Sequence, residues 1–351
     1  MAKKHKPEEI VAKLREAGLV LSQGGTTRDA CLHIGVTEQA YHRWRNKYGE
    51  PQTDDISRLM ILEQENAHLQ QAISELAVRK QELARRSSSL IFVGGAPRTG
   101  TTLLQALICT SPRTNKYIAE CSYLTAFMEP YRRALNAWGM HTHDYFDNVE
   151  DMCSFHGDII RNVLSGFRRS LARPEVLVLK DPCLTASFYA LAYLLPEAKF
   201  AVMIRDPRDA ILSRLEVMER STGAKPGLPE IEFACAEFNA AYAELVKTWR
   251  HFGDRLILTP YNSLVAGGEF DRLAAFGLDD LVPEQLTQST WINARQEGNP
   301  WNTDLYGGSV SSASVGRHET LLDPQTAEII LDRCGEIAKS LFSIAADPHS
   351  P

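Results

Sequence analysis

Apolar and polar positions alternate in blocks along the last three quarters of the chain. Four short apolar runs, SSLIFVGG, EVLVLK, KFAVMIR and RLILTPY, are each followed by a helical pattern, namely TTLLQALICT, TASFYALAYLL, PRDAILSRLEVMER and SLVAGGEFDRLAAFGL. Such alternation indicates strand–helix units that build a parallel sheet. Because the runs are apolar along their whole length, their strands are predicted to be buried on both faces. We therefore predict that residues 87–351 form an α/β domain, a parallel sheet flanked by helices.

A different pattern precedes this domain. Residues 7–50 contain three short segments with helical spacing. The second, TTRDACLHIGV, opens with a capping threonine and turns at Gly35, and the third opens with Thr37 as an N-cap and closes with Gly49. Two short helices around a glycine turn are the outline of a helix-turn-helix. The last helix carries five polar or basic side chains that suit a DNA groove: Gln39, His42, Arg43, Arg45 and Lys47. From spacing alone, a plain helical bundle fits these residues equally well.

Between these segments lies a heptad repeat. In residues 55–86, leucines recur every seven residues at 62, 69, 76 and 83, and the partner positions hold Leu59, Asn66, Ile73 and Lys80. Leucine at every d position with one asparagine at an a position favours a parallel coiled-coil dimer in register. The alternative is a single amphipathic helix packed on the following domain, but the strict seven-residue period favours the coiled coil.

Charge and cysteine content restrict the cellular setting. The chain of 351 residues has a net charge of −6, yet residues 1–50 carry nine Lys and Arg against six Asp and Glu. A small basic segment ahead of an acidic body indicates two different partners. The seven cysteines include no C-x-x-C pair, and the sequence has no secretory leader and no apolar run near 18 residues. We expect a cytoplasmic protein without a membrane span.

The stretch GGAPRTGTT, residues 94–102, follows the first predicted strand and opens a helix, which is the context of a phosphate-binding loop. A nucleoside-triphosphatase loop would end in Gly-Lys-Ser/Thr, but Thr101 stands at the lysine position and Arg98 is the only cation of the loop. After the second strand, Lys180 precedes Asp181, and a cation there makes a poor Mg²⁺ site. These departures argue against a kinase or ATPase, which remains one alternative; a glycine turn that merely starts a helix is another.

A second basic motif follows the third predicted strand. In KFAVMIRDPRDAILSRL, Arg205 stands at the carboxyl end of the strand, where open α/β sheets bind ligands, and Ser213 lies eight residues further along a helix. Arg208 and Arg214 add two more cations, which a solvated surface turn would also explain. Arg205 and Ser213 are predicted to face one anion.

Together these motifs resemble the sulfotransferases that use 3′-phosphoadenosine 5′-phosphosulfate (PAPS). GGAPRTGTTLL is similar to their loop for the 5′-phosphosulfate, and IRDPRDAILSR is similar to their motif for the 3′-phosphate. The segment from VLVLKDP to this motif resembles the protein-tyrosine branch, and SVSSASVGRH resembles the late loop that closes over the nucleotide. The N-terminal stretch resembles the helix-turn-helix and zipper of insertion-sequence transposase first-frame proteins.

The resemblance implies a P-loop-type fold, PAPS as co-substrate and no metal. It assigns the donor site to nine residues: Pro97, Arg98, Thr99, Gly100, Thr101, Thr102, Arg205, Ser213 and Arg317. Arg98 and Lys180 would stabilise the charge that grows on the departing PAP. Glu120, twenty-two residues after Arg98, would be the general base. Its apolar neighbours predict burial, where a carboxylate becomes a stronger base.

Two further readings stay open. His141, His143, Asp144 and His156 form a cluster without a metal-binding spacing, and a polar surface segment is favoured over a metal site. The chain would alternatively be a DNA-binding, transposition-related or regulatory protein whose body binds a nucleotide as a ligand. The acceptor of a sulfuryl group, a hydroxyl or an amine, has no readable code in the sequence.

Overall fold

The computed structural model describes residues 6–49, 62, 64–74, 90–288 and 298–346. By its internal contacts the chain divides into two compact units, residues 1–83 and residues 84–351. The finer division predicted from the sequence stays a prediction: a helix-turn-helix that ends at residue 50, a coiled coil over 55–86 and an α/β domain that begins at residue 87.

The second unit is built on a parallel sheet of four strands: β1 (Leu90–Gly94), β2 (Leu177–Lys180), β3 (Lys199–Ile204) and β4 (Leu256–Pro260). The strand order is β2-β1-β3-β4, and every neighbouring pair is parallel. The predicted α/β fold class is confirmed. Because β1 lies between β2 and β3, the segments that follow these three strands emerge side by side at one edge of the sheet.

Both faces of this sheet are covered. Leu90 and Phe92 pack in one hydrophobic cluster, whereas Ile91 and Val93 pack in a second. This alternation follows from the two-residue period of a strand, and it explains why the strand sequences are apolar throughout.

The helices of this unit cover the sheet and its edges. They are α5 (Thr101–Ile108), α6 (Ser122–Asn136), α7 (Val149–Ser170), α8 (Phe188–Leu194), α9 (Pro207–Thr222), α10 (Leu228–Thr248), α11 (Tyr261–Val265), α12 (Phe270–Ala275), α13 (His318–Leu321) and α14 (Pro324–Ala346). Short 3₁₀ helices occupy Thr142–Asp144, Pro182–Ser187, Trp249–Arg255 and Pro283–Gln288. None of the helices in the described ranges is long and apolar enough to cross a membrane.

One predicted helical stretch is interrupted. The sequence SLVAGGEFDRLAAFGL was expected to form one helical segment after β4, but it forms α11 and α12. The break lies at Gly267, whose φ of +85° falls in the left-handed region. Glycine reaches this region without a steric penalty, so the pair Gly267–Gly268 ends one helix before the next begins.

The first unit contains three packed helices, α1 (Pro7–Ser22), α2 (Thr27–His33) and α3 (Glu38–Tyr48). Thr26 caps α2 and Thr37 caps α3 through their side-chain oxygens; the N-cap predicted at Thr37 is confirmed, and Thr26 is the capping threonine of TTRDACLHIGV. The turn between α2 and α3 uses Gly35 at φ +67°. Tyr41 and Trp44 of α3 are buried in the small core, so the polar side chains of the helix remain outside.

Residues 64–74 continue this unit as a helix, α4. Three heptad positions, Leu62, Leu69 and Ile73, are 53%, 60% and 65% exposed. Asn66, a fourth seam position, is also exposed, and the remaining predicted seam positions, Leu59, Leu76, Lys80 and Leu83, lie outside the described residues. The coiled-coil dimer therefore stays a prediction.

A buried tyrosine joins the loop after β1 to the neighbouring strand. The Tyr242 hydroxyl of α10 accepts from the Ala96 N–H at 2.9 Å and donates to the Met203 carbonyl at 2.7 Å. Burial raises the pKa of Tyr242 to about 12, so the hydroxyl keeps its proton across the physiological range.

We expect Tyr242→Phe to lower the free energy of unfolding by about 1–3 kcal/mol, because it leaves a buried N–H and a buried C=O unpaired. Denaturant titration of the full chain measures this. Tyr193→Phe is the matched control, because Tyr193 is 54% exposed. Equal stability of the two variants would contradict a bridging role for Tyr242.

Candidate active site

The loop between β1 and α5 has a backbone that only particular residues allow. Gly95 and Gly100 have φ values of +137° and +104°. A Cβ on Gly95 would lie 2.6 Å from the Met203 carbonyl oxygen, and one on Gly100 would lie 2.6 Å from the Tyr261 ring. Both glycines of the predicted G-x-x-x-x-G frame are therefore required by backbone conformation and by space.

Hydrogen bonds from three directions fix this loop. Besides the Tyr242 bond, the Gly95 N–H donates to Thr185 Oγ1 at 2.8 Å. The Thr99 hydroxyl donates to the Ala96 carbonyl at 2.7 Å, and Thr99 is fully buried. The Thr99 side chain thus closes the loop from inside, and this residue does not line the cavity described next.

A cavity of about 1010 Å³ opens at the carboxyl edge of the sheet. The other ten predicted site residues line it: Pro97, Arg98, Gly100, Thr101, Thr102, Glu120, Lys180, Arg205, Ser213 and Arg317. They come from the end of β2, from the segments that follow β1 and β3, from the stretch before α6 and from the loop before α13. The fold therefore brings together residues that are up to 220 positions apart.

One end of the cavity concentrates positive charge. Arg98 Nε donates to Ser213 Oγ at 3.1 Å, and Arg205 Nη1 donates to the Arg98 carbonyl at 3.1 Å. Arg205 Nη2 donates to the Ser314 carbonyl, and the guanidinium lies 4.5 Å from the centre of the Tyr261 ring. The Arg205 Nε is buried and has no hydrogen-bond partner among the described residues.

This environment favours an anion. Burial lowers the pKa of the Arg205 guanidinium, but an arginine side chain remains charged in proteins. A buried cation with an unpaired N–H is costly unless a negative group completes its contacts. The Arg205 guanidinium, directly after β3 and close to Ser213, is therefore a candidate anion-binding group.

An ion pair lies where β2 ends. Lys180 Nζ is 2.9 Å from Glu120 Oε1 and 3.3 Å from Thr102 Oγ1. The Lys180 side chain is 2% exposed, but the Glu120 side chain is 53% exposed. The predicted burial of Glu120 is wrong, because only its contact with Lys180 is shielded while the rest of the carboxylate faces the cavity.

The remaining arginines of the predicted motifs are paired with carboxylates. Arg317 donates two hydrogen bonds to Glu216, of 2.5 and 3.2 Å. Hydrogen bonding to Glu216 raises the pKa of Arg317. Arg208 contacts Asp206 at 2.7 Å, and Arg214 contacts Glu237 at 2.7 Å. Among the three cations of the second motif, Arg205 is the one that lines the cavity.

Several residues that hold the site together carried no role in the sequence reasoning. Thr185 and Tyr242 fix the loop after β1, and Tyr261 covers the Arg205 guanidinium. Asp209 lies inside the quoted basic motif, and His318 follows Arg317 directly. For Asp209 and His318, a position inside a quoted motif was the only signal that the sequence offered. The contact between them joins segments more than 100 residues apart, which local patterns do not reveal.

The histidine cluster does not form part of this cavity. His143 Nδ1 lies 2.7 Å from the Trp138 carbonyl, while His156 packs on the Tyr131 and Phe155 rings. Burial lowers the pKa of His156. Within the described ranges no group of three or more His, Cys, Asp or Glu residues is arranged to hold a metal ion.

Comparison with known proteins separates the two units. A transposase family model matches residues 2–74. The low calcium response locus protein S of Yersinia pestis is 34% identical over 55 residues, which are 16% of this chain and 62% of that protein.

The second unit is similar to sulfotransferases. Protein-tyrosine sulfotransferase A of Caenorhabditis elegans is 27% identical over 190 residues, which are 53% of this chain and 48% of that protein. Protein-tyrosine sulfotransferase 1 of Danio rerio is 24% identical over 288 residues, 74% of this chain and 73% of that protein. This chain thus spans about half the length of the first relative.

Among solved structures, the sulfotransferase domain of the Synechococcus PCC 7002 olefin synthase covers 72% of this chain at 17% identity, with a TM-score of 0.46. The sulfotransferase STF9 of Mycobacterium avium covers 72% at 16% identity, with a TM-score of 0.41. The family model for sulfotransferases matches residues 90–269, more than half of the chain, and contains the strands and both motifs that form the cavity. The chain therefore belongs to the sulfotransferase family.

Proposed function

We propose that the protein transfers a sulfuryl group from PAPS to a hydroxyl or amine acceptor and releases PAP. The observation that carries this proposal is the buried Arg205 guanidinium, whose Nε lacks a partner in the described part of the chain, in a cavity that also holds the Lys180–Glu120 pair. An anion-binding end and an acid–base end within one cavity suit transfer from an anionic donor.

The residues present fit such a donor. Arg205 and Ser213 would bind its 3′-phosphate, with Arg317 sharing its guanidinium between that phosphate and Glu216. At the start of α5, the backbone of residues 98–102 and the Thr101 and Thr102 hydroxyls would face the 5′-phosphosulfate, since a helix N-terminus attracts anions. Pro97 and Gly100 would shape the wall, and Thr99 would act from behind by closing the loop.

Donor chemistry here favours cationic side chains over a metal site. Thr101 occupies the place of the phosphate-loop lysine, and Lys180 stands where a Mg²⁺ carboxylate would be needed. When bound, PAPS supplies the sulfuryl group and a phosphate leaving group. Arg98 and Lys180 would stabilise the negative charge that develops on the bridging oxygen as the bond to sulfur breaks.

Glu120 would take the proton from the acceptor while the acceptor oxygen or nitrogen bonds to sulfur. Its exposed carboxylate can meet an acceptor entering from solvent, and its Lys180 contact holds it at 2.9 Å from the ammonium group. Lys180 would thus lie between the acceptor and the donor, because it contacts the proposed base Glu120 and Thr102 of the donor loop.

The acceptor class rests on weaker support. Tyr117, Cys183 and Tyr306 line the cavity together with Glu120. Two relatives are named as protein-tyrosine sulfotransferases, which supports a phenolic hydroxyl among the candidates. Sugar, lipid and amine acceptors suit the same base.

We also propose that the first unit binds DNA. Its helix α3 buries Tyr41 and Trp44 and leaves Gln39, His42, Arg43 and Lys47 exposed, which is the arrangement of a recognition helix. The exposed apolar side chains of α4 support pairing with a second copy through the zipper. The cytoplasm remains our proposed location.

The first test is binding of PAP to the full chain by calorimetry in EDTA. We expect metal-independent binding, and we expect Arg205→Ala to weaken it by about 2 kcal/mol because a charge-assisted contact is lost. Arg208→Ala is the matched control, since Arg208 pairs with Asp206 outside the cavity lining. Absence of both binding heat and a PAP-induced shift in melting temperature with the unmutated chain would exclude PAP as a ligand.

The second test concerns the base. Glu120→Gln keeps the shape of the side chain and removes its basic charge, so we expect kcat to fall by about 10²–10⁴-fold while PAP affinity stays near that of the unmutated chain. PAP release from labelled PAPS with a small phenol measures turnover. Glu237→Gln removes the charge of another carboxylate that lines the cavity, so it is the control for loss of charge. Turnover of Glu120→Gln within a few-fold of the unmutated chain would assign the base elsewhere.

The third test concerns DNA. We expect the double variant Arg43→Ala/Lys47→Ala to weaken binding to DNA of any sequence. We also expect the slope of the logarithm of the association constant against the logarithm of salt concentration to become shallower by about 2, roughly one per lost phosphate contact. The double variant Lys225→Ala/Lys339→Ala removes two exposed lysines from the second unit and serves as control. Equal salt slopes for both double variants would refute α3 as the DNA-binding element.

A further inference from the structure

A buried carboxylate lies next to the proposed donor site without being part of its lining. The Asp209 side chain is 1% exposed. It stands on α9, about one helical turn before Ser213, and it follows Arg205, which precedes the helix, by four residues. Burial of a carboxylate is expensive unless several donors surround it, so its partners indicate what it does.

Those partners come from the segment that ends the cavity wall. The Gly316 N–H donates to Asp209 Oδ2 at 2.8 Å, and the His318 N–H donates to Oδ1 at 3.0 Å. His318 Nδ1 lies 2.8 Å from the same Oδ1 and donates its proton there, because an ionised carboxylate only accepts. Asp209 therefore attaches residues 316–318 to α9 through three bonds.

The same carboxylate faces the anion-binding arginine. Arg205 Nη2 is 3.7 Å from Asp209 Oδ2, and it also donates to the carbonyl of Ser314, two residues before Gly316. Arg205 is thus held between Asp209 and a loop that Asp209 itself positions. Its Nε is buried and has no hydrogen-bond partner in the described ranges, so this N–H is left for a further acceptor.

We propose that Asp209 and His318 are positioning residues for recognition of the 3′-phosphate. Their contacts join α9, which carries Ser213, to Arg205 and to the loop that carries Arg317. This inference rests on the proposed function, because it concerns how the PAPS site distinguishes a nucleotide with a 3′-phosphate from one without it.

The distinguishing measurement is the ratio of two affinities. PAP and 5′-AMP differ by the 3′-phosphate, so the ratio of their dissociation constants reports contacts to that group alone. We expect the full, unmutated chain to prefer PAP by about thirtyfold, which corresponds to about 2 kcal/mol for charge-assisted hydrogen bonds. Asp209→Ala and His318→Ala are expected to reduce this preference to a few-fold while 5′-AMP binds nearly as before.

Two further variants serve as references. His318→Asn places an amide N–H near the position of Nδ1–H and is expected to restore most of the preference. Glu219→Gln removes an exposed carboxylate from the same helix and is expected to leave the preference unchanged. Thermal melting of each variant without nucleotide identifies any that fail to fold. If Asp209→Ala fails to fold, the comparison of His318→Ala with His318→Asn still tests the proposal.

The outcomes separate the two proposals. If the unmutated chain prefers PAP but His318→Ala and Asp209→Ala weaken PAP and 5′-AMP in parallel, or leave the ratio unchanged, the positioning role is overturned. If the unmutated chain binds no PAP, the proposed function falls and the inference falls with it. A lost preference that His318→Asn restores supports the inference.

Discussion

Three cations meet in this protein because three neighbouring parallel strands end at the same edge of the sheet. The loop after β1 supplies Arg98, the end of β2 supplies Lys180, and the residue after β3 is Arg205. Like charges gathered in a partly buried cleft repel one another, and the strength of that repulsion rises as water is excluded. The carboxylates Glu120 and Asp209 offset part of it, and an anionic ligand would offset the rest.

Much of this arrangement is readable in the sequence. Apolar runs that alternate with helical patterns predict the strands, and the position of a residue just after such a run predicts that it reaches the sheet edge. Arg98, Lys180 and Arg205 stand at or just after the ends of such runs, Ser213 follows Arg205 by eight residues, and all four line the same cavity. The interruption between α11 and α12 was missed because a helical pattern reads across Gly267 unless the backbone conformation there is known.

Other features depend on contacts between distant segments, which local patterns do not encode. Glu120 has apolar neighbours in the sequence, yet its side chain is 53% exposed at the cavity, where it meets Lys180 from the end of β2. Thr99 belongs to the loop motif, but its hydroxyl closes the loop from within. Asp209 looks like one more charged residue of a basic turn until Gly316 and His318 are placed beside it.

Arg98 has a φ of +69°, in the region where residues other than glycine are strained. A left-handed conformation costs an ordinary L-residue about 1–2 kcal/mol, and glycine avoids that cost. Backbone conformation at this position therefore favours glycine, whereas the proposed sulfuryl transfer needs the guanidinium. Glycine would also lose the Arg98 hydrogen bonds to Ser213 and the Trp301 carbonyl, so stability and chemistry would have to be measured together in any effort to engineer this loop.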